Sequence, residues 1–141
     1  VEENLGVKSS VASSVLPLGA TINMDGTALY LGVVAVFSAQ VFGIDLVMTD
    51  YVMIAVTVTL ASIGTAGVPS ASLFLLSTIL PVIGITVEQT ALIVGLILPI
   101  DRILDMARTT VNVTGDAAVA VAVAKLEGEL DEETFRKVAT V

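Results

Sequence analysis

Between Ser9 and Pro99 this chain has neither lysine nor arginine, and that absence decides most of what it can fold into. The only acids in the same span are Asp25, Asp45, Asp50 and Glu88. So apolar a run reads as all-α membrane protein, with its backbone polar groups hydrogen-bonded inside helices. Composition agrees: 55% of residues are hydrophobic and 14% charged, with a mean hydropathy of +0.98, whereas soluble domains carry about 25% charged residues. A net charge of −8 argues against a nucleic-acid partner. The absence of Cys and His removes disulfides, thiolate metal sites and the commonest general base. Aromatics are only 4%, with no Trp, so the interfacial belt is thin. The chain starts at Val1, without Met and without a signal peptide, and reads as a piece of a longer protein.

Breakers divide the apolar run. Val1–Lys8 reads as the end of a preceding element. Ser9–Phe42 reads as one hydrophobic span with a defect at Asn23-Met24-Asp25-Gly26-Thr27, so that one half lies near Val11–Ile22 and the other near Thr27–Phe42. A carboxylate and an amide in mid-span are costly and mark a functional site. A helix broken at membrane depth exposes backbone carbonyls to an ion. Gly43–Asp50 reads as a loop. Tyr51–Val82 is apolar, with Gly64, Gly67 and Pro69 at its centre. Its arms, Tyr51–Ala61 and Ser72–Val82, would each be about 16 Å long, half of a ~30 Å bilayer core. This predicts a re-entrant hairpin with a glycine-rich tip; one kinked spanning helix is the alternative. Gly84–Val87 reads as a turn with Thr86 as a helix cap. Glu88–Ala124 reads as one long helix, and Lys125–Val141 as a charged, solvated tail. Lys8 lies at one end and Lys125, Arg136 and Lys137 at the other. Both ends are therefore expected on the cytoplasmic side, with the loops at Asp45 and Glu88 outside.

The long helix carries Asp101, Asp105, Arg108, Asn112 and Asp116, which fall within an arc of about 80°, with Thr109 at its edge. A stripe of this kind faces a bundle interior or a wet cavity. An internal ion-pair ladder that only orients helices is the alternative, because Asp105 and Arg108 stand at i,i+3. Against it, three acids face one base, and a bound cation is an economical source of the missing charge. The donors on offer are carboxylate, amide, hydroxyl and carbonyl oxygens, which suit hard cations. A monovalent ion such as sodium fits better than calcium, and protons remain open.

The motifs Asn-Met-Asp-Gly-Thr at 23–27, Ser-Ile-Gly-Thr-Ala-Gly-Val-Pro at 62–69 and Asp-Arg-Ile-Leu-Asp-Met-Ala-Arg-Thr-Thr-Val-Asn-Val-Thr-Gly-Asp at 101–116, in this order, resemble the glutamate transporter family of dicarboxylate/amino-acid:cation symporters. The resemblance runs from about Leu5 to Lys125 and implies the C-terminal part of a transport domain. Residues 1–8 would end a preceding hairpin. Residues 9–42 would be the seventh transmembrane helix, unwound at its centre, and 51–82 the second re-entrant hairpin, acting as extracellular gate. Residues 88–124 would be the eighth transmembrane helix and 125–141 a cytoplasmic tail.

The same resemblance implies a role for each site residue. Asp105 would bind the substrate amino group, Arg108 its side-chain carboxylate with a planar fork, and Asn112 and Thr109 the α-carboxylate and amino end. Thr27 would touch the side-chain carboxylate, and the backbone of Ala66, Gly67 and Val68 would close over the ligand. One sodium would be held by Asp116 and by carbonyls of Gly19, Asn23 and Asn112. A second would sit among Thr21, Met24, Ser62, Ile63 and Thr65, and a third would be served by Asn23 and Asp25. No organic cofactor is implied. The rest of the transporter, a homotrimer and the lipid bilayer are the implied partners, in the plasma membrane of a bacterium or archaeon. Ser70 and Ser72 stand where relatives often carry glycine, and the serine-rich first hairpin is absent.

The implied function is import of glutamate or aspartate coupled to sodium. A proton-coupled dicarboxylate or amino-acid symporter is an alternative, as is an ion channel using the same helix face. An intramembrane enzyme is disfavoured because no nucleophile–base pair is present.

Overall fold

The computed structural model describes residues 1–65 and 67–138. Among these it is all-helical, with no strand beyond an isolated backbone bridge between Val7 and Leu130. The helices are α1 (Glu2–Leu5), α2 (Ser9–Ile22), α3 (Asp25–Val41), α4 (Met48–Ile63), α5 (Ala71–Ile79), α6 (Val87–Ile97), α7 (Asp101–Leu126) and α8 (Glu132–Val138), with 310 turns at Leu80–Ile83 and Leu98–Ile100.

Helix α2 ends at Ile22 and α3 begins at Asp25, leaving Asn23 and Met24 outside helical geometry. Helix α4 starts three residues before the expected arm because the Asp50 carboxylate accepts the Val47 N–H at 2.9 Å and caps it. At 16 residues it is about 24 Å long rather than 16 Å. The segment between α4 and α5 is non-helical at Gly64, Thr65 and Gly67 to Ser70. Helix α4 packs against α5 and against the 310 turn that follows it.

Helix α6 opens on the expected cap: Thr86 accepts the Gln89 N–H at 3.3 Å, and Gln89 accepts the Thr86 N–H at 2.9 Å. The single long helix expected over 88–124 is instead two α-helices joined by the 310 turn. The cause is Pro99, which has no N–H to give to the preceding turn.

The main core joins α3, α4, α5 and α6 through Leu31, Ala35, Ile54, Leu76, Ile79, Leu80 and Ile93. Burying each large aliphatic side chain contributes about 1.5–3 kcal/mol. Leu29, Val33, Leu60, Phe74 and Leu92 remain outward and exposed, so the outer surface of the bundle is apolar as well. By length and composition, one described stretch, Ser9–Val41, could cross a membrane; Met48–Ile63 and Ala71–Ile83 are shorter. Helix α7, at 26 residues, is about 39 Å long.

The tail is exposed over most of its described length, and it is also clasped to the start of the chain. The Lys8 N–H donates to Glu129 O at 3.1 Å and the Asp131 N–H to Gly6 O at 2.8 Å. Val7, Val11 and Ala12 pack on Ala124, with Leu130 against them. Lys8 and Glu129 add a 2.7 Å ion pair.

Candidate functional site

Helix α7 lies against both α2 and α3, so its polar stripe meets the break between them. The stripe is buried where sequence periodicity placed it: Asp101 is 2% exposed, Arg108 6%, Asp116 8% and Asp105 9%. Asn112 ties the stripe to the break. Its Oδ1 accepts the Gly26 N–H at 2.8 Å, and its Nδ2 donates to Met24 Sδ at 3.2 Å and Thr27 Oγ1 at 3.4 Å. One turn further on, Asn23 Nδ2 donates to Asp116 Oδ1 at 3.0 Å. Gly19 permits this approach, because a Cβ there would collide with the Asp116 carboxylate. Gly115 does the same for the Asn23 and Asp25 side chains, 2.6 and 2.8 Å from where its Cβ would be.

A cavity of about 350 Å³ opens between this surface and the α4–α5 segment. Thr27, Gly67, Val68, Asp105, Arg108, Thr109, Asn112 and Asp116 line it, with Asn23, Met24 and Thr65 beside them. Gly19, Thr21, Asp25, Ser62 and Ile63 are not among the lining residues. The Thr21 hydroxyl donates to Pro17 O at 3.1 Å and that of Ser62 to Thr59 O at 2.9 Å, while Ile63 is exposed. Ala66 lies outside the described residues.

Arg108 is the electrostatic centre. Its Nη2 is 2.5 Å from Asp105 Oδ1 and 3.9 Å from Asp101 Oδ1, and its guanidinium lies over the Tyr30 ring, 4.4 Å from the centroid. Asp105 also meets the exposed Arg102 at 3.3 Å. Four buried polar atoms among the described residues have no hydrogen-bond partner: Arg108 Nη1, Asp101 Oδ1, Tyr30 OH and Ser72 Oγ. Unmet groups of this kind are costly in a closed core; here Asp101 and Tyr30 lie beside Arg108, and Ser72 lines the same cavity. Among the described residues no three His, Cys, Asp or Glu side chains come together as a metal cluster. At Asp116 the neighbour shown is the Asn23 amide, which turns its Nδ2 donor toward the carboxylate.

Sequence reasoning missed Tyr30 and Ser70 and gave Asp101 and Arg102 no role. For Tyr30 the signal was its spacing, one turn beyond Thr27 on the face turned toward α7. For Ser70 the only signal was that it stands where relatives often carry glycine.

A family model described as the sodium:dicarboxylate symporter family matches residues 1–126. The chain is 50% identical over 117 residues to an excitatory amino acid transporter of Onchocerca volvulus, covering 83% of this chain and 23% of that protein. It is 47% identical over 132 residues to human excitatory amino acid transporter 2, covering 93% and 22%. It is 41% identical over 131 residues to the proton/sodium-glutamate symport protein of Geobacillus stearothermophilus, covering 93% and 30%. The chain thus spans about a quarter of the length of these relatives. All three carry the names of transporters, not enzymes, and the resemblance drawn from the three motifs holds.

Proposed function

Since the chain belongs to the sodium:dicarboxylate symporter family, we propose that it forms the C-terminal part of the transport domain of a secondary active transporter. That transporter imports glutamate or aspartate with sodium, by alternating access in the membrane. The observation that carries this reading is the buried Asp105–Arg108 pair on the wall of a cavity large enough for one amino acid. A substrate with an ammonium and a side-chain carboxylate presents the same two charges in reverse. It can take Arg108 with its carboxylate and Asp105 with its ammonium, exchanging one internal ion pair for two to the ligand. A pure channel has no use for such a matched pair.

In this reading α2 and α3 are the two halves of one spanning helix, and α4 and α5 are the arms of a re-entrant hairpin. The segment around Gly67 and Val68 is the extracellular gate. The Asp116 carboxylate, beside Gly19, Asn23 and Asn112, holds one sodium. Met24 and Thr65, with Thr21, Ser62 and Ile63, contribute a second site, and Asn23 with Asp25 a third. Ala66, Gly67 and Val68 offer backbone groups to the substrate. The positive-inside rule supports a cytoplasmic C-terminus, and the family resemblance supports a homotrimer with the missing first hairpin and scaffold supplied by the rest of the protein.

Proton coupling is the second reading, favoured by the name of the Geobacillus relative. Uptake of radiolabelled aspartate by the full-length protein in liposomes, with sodium and pH gradients imposed separately, tests both. A sodium gradient alone should drive accumulation. Accumulation driven only by pH would replace sodium coupling, and none under either gradient would refute transport of aspartate.

A further inference from the structure

Asp101 is the one stripe carboxylate left without a part in the reading above. It is 2% exposed. Its Oδ1 has no hydrogen bond and stands 3.9 Å from Arg108 Nη2. Its Oδ2 accepts the Ser70 hydroxyl at 2.6 Å. Among the described residues this is the only side-chain hydrogen bond from segment 64–70 to α7.

Ser70 gives up two local advantages to make it. With φ 62 and ψ 8 it is the only described non-glycine residue at positive φ, a left-handed conformation that residues with a Cβ avoid. It is also the N-cap of α5, where a serine hydroxyl ordinarily accepts an N–H of the first turn. Here the side chain makes no such bond and reaches across to Asp101 instead. A hydroxyl on a buried carboxylate is a charge-assisted bond, and 2.6 Å is its usual length.

We propose that Ser70 is a positioning residue: its hydroxyl latches the tip of the α4–α5 hairpin onto Asp101 and so sets how readily the gate opens. The latch rests on the reading of this segment as the gate, and it adds a link between gate and specificity. Asp101 sits between Ser70 on one side and Arg108 on the other. When Arg108 turns its charge to a ligand carboxylate, Asp101 keeps Ser70 as its main partner. An acidic ligand therefore tightens the tip, and a neutral one does not.

The test uses the full-length protein with Thr27→Cys as reporter, a buried position in the cavity wall that opening of the tip would uncover, any cysteines outside this stretch replaced, and the rate of thiol modification without substrate as readout. Ser70→Gly should raise that rate about tenfold, the loss of one charge-assisted bond. If Ser70 were merely a strained residue, glycine would relieve the strain and the rate would fall or stay the same; that result overturns the latch. Ser70→Asn, which tolerates the left-handed conformation and keeps a donor, should restore the slow rate. In an Asp101→Asn background Ser70→Gly should add much less, since the two act on one bond; full additivity also overturns the proposal. With labelled aspartate, Ser70→Gly should speed dissociation by a similar factor. Because thiol reactivity is read without substrate, absence of aspartate uptake by the native protein would sink the transport reading and leave this measurement standing.

Discussion

Replacing Arg108 by cysteine separates the transport reading from a purely structural ion pair. The side chain removed is 6% exposed and pairs with an Asp105 side chain that is 12% exposed. Breaking a buried pair from one side costs about 3–5 kcal/mol. Arg102 stays 3.3 Å from Asp105, so Arg108→Cys should destabilise at or below the lower end of that range and still fold. The effect on ligand should be larger in kind. A bidentate guanidinium–carboxylate contact offers two charge-assisted bonds of about 1.5–3 kcal/mol each, so aspartate affinity should fall by about 10²–10⁴-fold. The vacated space is neutral and small, and Asp105 and Asn112 still face the cavity to hold an amino-acid backbone. Serine or alanine should then compete where aspartate no longer does. Asp105→Ala should lose both substrate classes, because both carry the amino group. Competition of labelled aspartate and serine against full-length Arg108→Cys and Asp105→Ala reads this directly, with a thermal melt as control for folding. An ion pair that only orients helices predicts the same substrate pattern for both variants, with losses tracking the drop in melting temperature. Undiminished aspartate transport in Arg108→Cys would falsify the assigned role.

Three further expectations follow from the geometry. Asp116→Asn should weaken sodium binding and, by linkage, aspartate affinity, while keeping the fold; an unchanged sodium dependence of aspartate binding would make Asp116 structural. Gly26→Ala should lower the melting temperature by the equivalent of about 1–3 kcal/mol, because its Cβ would run into the Arg108 backbone, and a melt equal to the parent's would refute that close approach. The Asp131 carboxyl is held below its ordinary value of 3.8, chiefly by the Thr134 hydroxyl and then by the Thr134 and Glu133 N–H groups. A depressed carboxylate stabilises above its unfolded pKa and loses that contribution as pH falls through the lower folded value. Protection of the Glu133 and Thr134 amides from exchange should therefore be flat from neutral pH to about 5 and drop below 3.8; loss already near neutrality would show another group in control.

What the sequence made legible was whatever a residue type betrays against an apolar background. The Asn23–Asp25 interruption, the Gly64–Pro69 breakers and the spacing of Asp101, Asp105, Arg108, Asn112 and Asp116 all stand out because a polar or flexible residue there has a cost that something must offset. The start of α4 was missed because Asp50 was read as loop charge, although an acid in the first turn accepts the orphan N–H groups. Pro99 was passed over inside a long periodic run, where a single 310 turn keeps the helix going. The clasp of residues 6–8 on 129–131 has its hydrogen bonds between backbone atoms, which every sequence has. Ser70 was legible only as a departure from glycine; its left-handed conformation and its partner lie 31 residues apart and belong to tertiary structure.

The contact between Asn23 and Asp116 spans 93 residues, and synthesis runs in one direction. At about 5–20 residues per second, roughly 5–19 s pass between the making of these two residues. Throughout that interval the amide of Asn23 sits in an apolar stretch without the carboxylate that receives it. The early half of the chain therefore has to wait, its polar interruption served by water or by helper proteins, until the last long helix arrives. A nascent chain stalled before Asp116 keeps the Asn23 amide without the carboxylate that receives it in the finished fold.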